Sequence, residues 1–593
     1  MLQTADNSAA HGPFRIDSVD DMTIEWDVPI PVDDGVVLRA DVFRPSAPGA
    51  YPVILSCGPY GKGRPFQELM PPAWHKMTTD HPDILEGSSG RYQNFEVVDP
   101  EKWVPDGYVC VRVDSRGTGR SPGYLDPFSA RETRDLCESI GWAAEQPWSN
   151  GRIGLNGISY LAMNQWQVAA AQPPHLAAIC VWEGAGDSYR DASYHGGILT
   201  TFVDRWYGLI GQYGKGEAGG RNPHTGQLVC GDETFTDDEL SQRRSDFGRQ
   251  IREHPLHDEF HRARLFPDWT RIQVPVLSAG NWGGIGLHLR GNTRGFQQVA
   301  SADKWLTMHE DTHFSLFYAE YGLSLQKRFF GHFLKDEDTG WNKQPRVELR
   351  TRHADGRVGL RSAAQWPLPE TDWTRLYLDA SDCSLRTQAP PGQAQDSYDA
   401  GAGALSFSYV CPRDIEIAGP VAAKLYVESF TTDADLFLVV RAFSPDGTEV
   451  VFQGANDPHV PVAQGWLRAS HRALDEDQSR PYLPVHRHDR VEPLTPGAVY
   501  EVDVEILPTS LVLPAGYRLT LDVRGTDYLY AGADDLPTAV NGVRSAPHRS
   551  FAQYTFPHDD PAHRPADVYN GTVRLHTGGE YNSYLLLPIV ESA

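Results

Sequence analysis

The chain has 593 residues, which is enough for several domains and more than one buried core. Its 53 Lys and Arg against 78 Asp and Glu give a formal charge of −25, which excludes a chain-wide basic surface for nucleic acid or an anionic membrane. Seven irregularly spaced cysteines without a CxxC pair predict neither a disulfide framework nor a thiolate zinc site. A polar start and the lack of a long apolar run predict a cytoplasmic protein without a membrane partner.

The first half of the chain alternates short apolar runs with helical patterns, the order typical of a mostly parallel sheet covered by helices. It predicts an α/β domain made of residues 1–188 and 271–343. A polar insertion at 189–270, with a helical pattern at 235–253, is expected to form a helical cap over a site. Predicted strands cover 36–43, 51–56, 108–114, 153–156, 175–182 and 274–278, and predicted helices cover 130–145, 161–171 and 317–335.

The pattern of polar and apolar residues changes after about residue 344. Segments such as 422–428, 435–442 and 517–524 alternate polar and apolar residues with a period of two, and Pro- and Gly-containing turns separate them. This pattern predicts a separate all-β domain over 344–593, a sandwich of the jelly-roll kind.

Two serines compete for the place of a nucleophile. Ser121 lies in Gly-Arg-Ser-Pro-Gly, a literal G-x-S-x-G, but Pro122 follows at once and no helix comes next. Ser159 fits the letters less well, yet a predicted strand precedes it and a predicted helix follows. That strand-turn-helix context is what exposes a nucleophilic hydroxyl beside backbone N–H groups, although a serine there can equally act only as a helix N-cap.

Residues 309–313, His-Glu-Asp-Thr-His, spell the zinc motif H-E-x-x-H. Zinc binding would need His309 and His313 on one face of a helix with Glu310 as base, whereas Asp and Thr are weak helix formers and a strand pattern precedes them. The alternative is that one histidine follows the last core strand as the base of a hydrolase, since the nucleophile precedes the histidine in that chain order.

Several motifs together resemble the CocE/NonD acyl hydrolases, a group related to X-Pro dipeptidyl peptidases, cocaine esterase, α-amino acid ester hydrolases and glutaryl acylases. The matching segments are Asp-Ser-Arg-Gly-Thr-Gly-Arg-Ser-Pro-Gly at 114–123, Gln-Pro-Trp-Ser-Asn-Gly at 146–151 and Gly-Leu-Asn-Gly-Ile-Ser-Tyr at 154–160. The resemblance implies an α/β-hydrolase domain with a C-terminal jelly roll. It implies Ser159 as nucleophile, His313 as base, and the Tyr60 hydroxyl and Tyr160 N–H as the oxyanion hole.

The family also uses an aspartate as the acid that orients the catalytic histidine, the third member of a catalytic triad. This sequence departs from the family there, because Gly283 occupies the position of that aspartate. Loops after successive parallel strands open on the same edge of a sheet, so a carboxylate one strand earlier can replace it. We therefore expect the acid at Glu183, directly after the strand at 175–182. The other candidates are Asp187 and the pair Glu310 and Asp311.

The resulting prediction is a serine hydrolase that needs no cofactor and acts on a small-molecule ester or amide or on a short peptide, with Glu183 orienting His313. Trp206 and Tyr207 of the insertion are expected to line the acyl pocket. Two alternatives stay open: a zinc metallopeptidase using residues 309–313, and a non-catalytic binding protein on a hydrolase scaffold. The sequence also leaves open whether the chain forms a homo-oligomer.

Overall fold

The structure of the protein is a computed structural model that describes residues 12–531 and 556–591. Small parts of the first and last predicted domains, residues 1–11, 532–555 and 592–593, therefore lie outside the described residues. The strands of the first half are β1 Arg15–Val19, β2 Met22–Pro31, β3 Val37–Pro45, β4 Tyr51–Gly58, β5 Val109–Asp114, β6 Ser149–Ile158, β7 Leu176–Trp182, β8 Tyr194–His195, β9 Ile198–Leu199, β10 Val276–Asn281, β11 Lys304–His309 and β12 Val347–His353.

The α-helices of the first half alternate with these strands and also occupy the insertion, and one short helix, the last in chain order, lies in the C-terminal half. They are α1 Phe66–Leu69, α2 Pro71–Asp80, α3 Pro100–Trp103, α4 Ala130–Ala144, α5 Tyr160–Ala171, α6 Phe202–Trp206, α7 Asp237–Gln242, α8 Phe247–Glu253, α9 Glu259–Arg262, α10 Leu289–Gln298, α11 Ser315–Tyr318, α12 Glu320–Lys335 and α13 Ala566–Tyr569. A π-helical turn at Ser188–Ser193 follows β7, and short 3₁₀ turns lie at Pro82–Leu85, Val104–Asp106, Tyr207–Leu209, Gly216–Gly219, Trp269–Arg271, Trp341–Lys343 and Ala469–His471.

The sheet of the first half runs in the spatial order β1, β2, β3, β5, β4, β6, β7, β10, β11, β12. All neighbours from β5 to β12 are parallel, and β5 is buried along its whole length. Strands buried on both faces explain the continuous apolar runs of the sequence. The carboxyl ends of the parallel strands meet at one edge, which is where ligands bind in such sheets.

The C-terminal half is a β domain with its own apolar core. Its strands are β13 Val358–Ala363, β14 Asp372–Asp379, β15 Ser384–Arg386, β16 Ala394–Asp399, β17 Ala404–Val410, β18 Ile415–Ser429, β19 Asp435–Phe443, β20 Glu449–Val450, β21 Ala463–Arg468, β22 Val499–Leu513, β23 Arg518–Arg524, β24 Thr572–Thr577 and β25 Tyr584–Val590. The long strand β18 pairs antiparallel with β22, β24 and β25. β12 pairs with β22 at Arg352 and His353, so the two halves share hydrogen-bonded strands.

Two predicted helices are interrupted in the structure. The helix expected at 235–253 is divided into α7 and α8, because Leu125 pairs with Arg243 and Asp246 caps the start of α8 through Arg249 N–H. The helix expected at 317–335 is divided at Ala319, whose extended ψ of 158° ends α11 and begins α12. No helix among residues 12–531 and 556–591 is both long and apolar enough to cross a membrane.

Candidate active site

Ser159 lies on a sharp turn between β6 and α5. Its backbone has φ 58° and ψ −118°, a strained conformation for a residue with a side chain. Gly157 makes the turn possible, because a Cβ at that position would lie 2.7 Å from the Cβ of Leu161. Ser159 N–H donates to Trp182 O, which ties the turn to β7. This strand-turn-helix geometry is that of a nucleophile elbow.

Two groups near Ser159 have the chemistry of oxyanion donors. Tyr160 is the first residue of α5, so its N–H has no acceptor within the helix. The Tyr60 hydroxyl accepts a hydrogen bond from Trp206 Nε1 at 3.2 Å, and it also interacts with the Ser159 hydroxyl and the Glu96 carboxylate. Burial raises the pKa of Tyr60 well above its ordinary value, so the phenol keeps its proton.

His313 and Glu183 form a buried hydrogen-bonded pair. Their closest atoms, His313 Nδ1 and Glu183 Oε2, are 2.7 Å apart. Burial raises the pKa of Glu183, but the charges and hydrogen bonds of His313 and His309 outweigh burial and lower it to about 2. Burial lowers the pKa of His313, and the carboxylates of Glu183 and Glu96 outweigh it and raise the value to about 10. A carboxylate that fixes the Nδ1 proton leaves Nε2 as the nitrogen that can act as a base.

The second oxygen of Glu183 is held by two further groups. Asn281 Nδ2 donates to Glu183 Oε1 at 3.2 Å, and His309 Nε2 lies 3.3 Å from the same oxygen. Glu183 itself has φ 51°, and its N–H donates to Ala279 O of the neighbouring strand. The carboxylate is therefore fixed in position by contacts from β10 and β11.

The other acids considered from the sequence are bound elsewhere. Asp187 pairs with Arg190 at 2.6 Å. Glu310 pairs with Arg350 at 2.7 Å, and Asp311 lies 2.8 Å from the Nε2 of His81.

Gly283 occupies a position without space for a side chain. A Cβ there would lie 2.3 Å from the Cα of Gly454 in the β domain. The same β-domain loop accepts the N–H of His313 at Ala455 O, at 2.8 Å. The loop that excludes an aspartate from position 283 thus also holds the backbone of His313.

The remaining motif matches are structural. The Ser121 hydroxyl donates to Asp114 O and accepts from Arg39 N–H, and the residue is fully buried. His309 is the last residue of β11, so the segment 309–313 does not form the helix that a zinc site of this motif needs. Among the described residues, no group of three or more His, Cys, Asp or Glu side chains is arranged to hold a metal ion.

An apolar cavity of about 40 Å³ adjoins Ser159. Trp206 lines it, as expected, whereas Tyr207 turns away and donates to Ser245 O at 2.7 Å. The other described lining residues are Phe128, Tyr160, Met163, Ser188, Ala192, Ser193, Phe202, Val203, Phe247, Leu265 and Leu287.

Sequence reasoning missed Glu96, which lies in the long connection between β4 and β5. Its side chain is buried, and Glu96 Oε1 is 3.5 Å from His313 Nε2. Its carboxylate also interacts with the hydroxyls of Ser159 and Tyr60. No local pattern marks Glu96. The only signal was the length of a connection that leaves the sheet at its carboxyl edge.

Two family models match consecutive parts of the chain. The X-Pro dipeptidyl-peptidase (S15 family) model matches residues 34–315, and the X-Pro dipeptidyl-peptidase C-terminal non-catalytic domain matches residues 339–586. The first match spans Tyr60, Ser159, Glu183 and His313. The second spans most of the β domain.

Relatives similar along the whole chain are also known. A CocE/NonD family hydrolase from Staphylococcus aureus has a solved structure with 32% identity, a TM-score of 0.83 and coverage of 99% of both chains. Cocaine esterase from Rhodococcus sp. (strain MB1 Bresler) is 25% identical, with coverage of 96% of this chain and 99% of its own. An α-amino acid ester hydrolase shares the fold at 15% identity, with a TM-score of 0.66.

Proposed function

The chain belongs to the CocE/NonD hydrolase family and is a serine hydrolase, and on that premise we propose that it cleaves an ester or amide bond through an acyl-enzyme on Ser159. The substrates are small-molecule esters or amides, or short peptides. The cavity beside Ser159 is lined mainly by apolar and aromatic side chains, which supports an apolar acyl group.

In the proposed mechanism, His313 Nε2 accepts the proton of Ser159 while the hydroxyl oxygen attacks the acyl carbon. Glu183 keeps the Nδ1 proton in place and stabilises the imidazolium that forms. The imidazolium then protonates the leaving group. In the second half of the reaction His313 activates a water molecule, which releases the acid and restores Ser159.

The Tyr160 N–H and the Tyr60 hydroxyl are proposed to stabilise the oxyanion of the tetrahedral intermediate. One well-placed donor of this kind contributes about 2.7–4 kcal/mol to the transition state. The hydrogen bond from Trp206 to Tyr60 orients the phenol for this role. Trp206 therefore links the acyl pocket to the oxyanion site.

The observation that carries the proposal is the combination of a strained serine on an elbow with a buried His313–Glu183 pair whose Nδ1 to Oε2 distance is 2.7 Å. Strained backbone at a buried serine is a feature of functional sites rather than of helix caps. Moreover, Ser159 makes no N-cap hydrogen bond with its side chain to α5.

The test is covalent labelling with a fluorophosphonate probe followed by peptide mass analysis. We expect the probe on Ser159 in the wild-type protein, no label in Ser159→Ala, and esterase activity that survives a chelator. A protein that hydrolyses nothing and leaves Ser159 unlabelled would be a binding protein instead. Activity that persists in Ser159→Ala and disappears with a chelator would indicate a metallopeptidase.

Finer features of the architecture are part of the proposal. We propose a jelly-roll-like sandwich for the β domain over 344–593 and a cap for 189–270, supported by the antiparallel pairing of β18 and by the short helices α6 to α9. A cytoplasmic location is supported by the seven cysteines, all of which are free thiols in the structure.

A further inference from the structure

Glu96 contacts the reacting groups of the proposed site but has no role in the mechanism above. Only 2% of the residue is exposed, and its carboxylate interacts with the hydroxyls of Ser159 and Tyr60. Oε1 lies 3.5 Å from Nε2 of His313, the nitrogen that must receive the serine proton. Oε2 is buried and has no hydrogen-bond partner among the described residues.

A structural role does not explain this carboxylate. Burying a charge is costly unless other groups neutralise it, and the buried Asp27 follows this rule by contacting Arg39, Lys62 and Arg120. Among the described residues, the only basic partner of Glu96 is His313. Glu96 also has φ 64°, and its carbonyl accepts Ile158 N–H at 3.1 Å, so the strained residue is tied to the nucleophile elbow.

The position of Glu96 determines which protonation state of His313 is favoured. His313 Nδ1 donates to Glu183, so a second carboxylate at Nε2 stabilises the imidazolium. An imidazolium has no lone pair to accept the proton of Ser159. Consistent with this, the two carboxylates raise the pKa of His313 to about 10, and burial raises the pKa of Glu96 to about 7.

The other groups around the pair come from several elements. The ring of His288, which precedes α10, stacks on His313 with centroids 5.2 Å apart, and burial lowers the pKa of His288 to about 3, so it adds no charge near neutrality. The charge of Glu183 acts on both His313 and Glu96. Two phenols, Tyr60 and Tyr318, also lie near Glu96, and burial raises their pKa values well above the ordinary value.

We propose that Glu96 is a positioning residue that controls the protonation of the catalytic base: its carboxylate holds a proton on His313 Nε2, and the reactive form arises when that proton is lost. This inference rests on the function proposed above. The Nε2 proton passes to water as the pH rises, and the lone pair of Nε2 becomes free for the Ser159 hydroxyl. Glu96 itself exchanges no proton with the substrate, while His313 accepts and returns the serine proton.

The test is the pH profile of kcat/KM for an activated ester with Glu96→Gln, which imitates the protonated carboxyl group. Removing one of two charges at the imidazole should lower the pKa of the free enzyme's base by about one to three units. We therefore expect the acidic limb of the profile to move down by that amount and activity at pH 6 to rise. Glu96→Asp, whose shorter side chain withdraws the charge from Nε2, should move the limb in the same direction by less.

Asp99→Asn is the matched control, because Asp99 is a buried carboxyl group of the same connection with a raised pKa, caused by burial, and it binds Ser88 instead of His313. Its acidic limb should coincide with that of the wild type. The inference is overturned if the limb of Glu96→Gln coincides with the wild type, or if a folded Glu96→Gln is inactive at every pH.

If the variants fail to fold, a measurement on the wild type tests whether His313 is held in its protonated form. The imidazole nitrogens of His313, followed by NMR against pH, should stay protonated well above the ordinary pKa of 6.5, and a value near 6.5 would overturn the inference. Failure of the proposed function looks different: Ser159 of the wild type would not be labelled by the fluorophosphonate at all.

Discussion

Two adjacent turns at the carboxyl edge of the sheet contribute different things to the site. The turn after β7 contributes the carboxylate of Glu183, which binds His313. The turn after β10 contributes backbone, since Gly283 packs on Gly454 of the β domain. The strands are parallel neighbours, with Val276 opposite Ile179.

The contrast between these two turns indicates that the position of a triad acid depends on what packs on each turn. Side chains that follow neighbouring parallel strands lie at the same edge, so either turn can supply a carboxylate to the same imidazole. At the turn after β10 the β domain leaves no space for one. Asn281 of that turn donates to Glu183 instead, so the second turn supports the acid contributed by the first.

The largest effect is expected at the turn after β7. Glu183→Gln should lower kcat by about 10⁴, since the imidazole loses the group that holds its tautomer and stabilises its charge. Steady-state kinetics with an activated ester measure this. Asp187→Asn is the control and should retain activity, because Asp187 pairs with Arg190. The opposite ranking of the two variants would remove Glu183 from the triad.

The packing of the turn after β10 can be tested through stability. Gly283→Ala should lower the free energy of unfolding by about 1–3 kcal/mol, because its methyl group would overlap Gly454. In the control Gly141→Ala the methyl group meets no atom within 4 Å, and alanine favours the helix α4. Thermal unfolding distinguishes them, and equal stability of Gly283→Ala and wild type would contradict the close contact.

The supporting role of Asn281 should give a smaller effect on turnover. Asn281→Ala removes hydrogen bonds to Glu183 Oε1 and Asp311 O and should lower kcat about tenfold with little change in KM. In a double-mutant cycle, the same substitution in the Glu183→Gln protein should have almost no further effect on kcat. Independent, additive effects would show that Asn281 does not act through Glu183.

The smallest effect is expected in the pH dependence of stability. Glu183, with its pKa lowered from 4.5 to about 2, contributes stability above pH 4.5 that is lost as the pH falls toward 2. His313, with its pKa raised from 6.5 to about 10, contributes stability below pH 6.5 that is lost as the pH rises toward 10. The difference in Tm between wild type and Glu183→Gln should therefore be largest between pH 4.5 and 6.5. A Tm difference that does not change with pH would contradict an ion pair between His313 and Glu183.

Much of the first half could be predicted from local patterns. Strands β4, β5 and β7 and helices α4 and α5 lie where apolar runs and helical spacing place them. The two interrupted helices could not be predicted, because partners distant in sequence lie at both breaks; at the break before α12, Glu320 N–H donates to Asp83 Oδ2. The break between α7 and α8 follows from the pairing of Arg243 with Leu125, 118 residues earlier in the chain.

The sequence by itself predicted the family, the alternation of strands and helices along the first half, and a strand-turn-helix context at Ser159, because that context is a local arrangement of a strand, a glycine and a helix. Only the tertiary structure decided what surrounds His313. Glu96 reaches its ring from the β4–β5 connection, and the loop at Gly454 and Ala455 holds its backbone and excludes an acid at Gly283. These contacts join segments that no periodicity relates, so packing of the two halves alone brings them together.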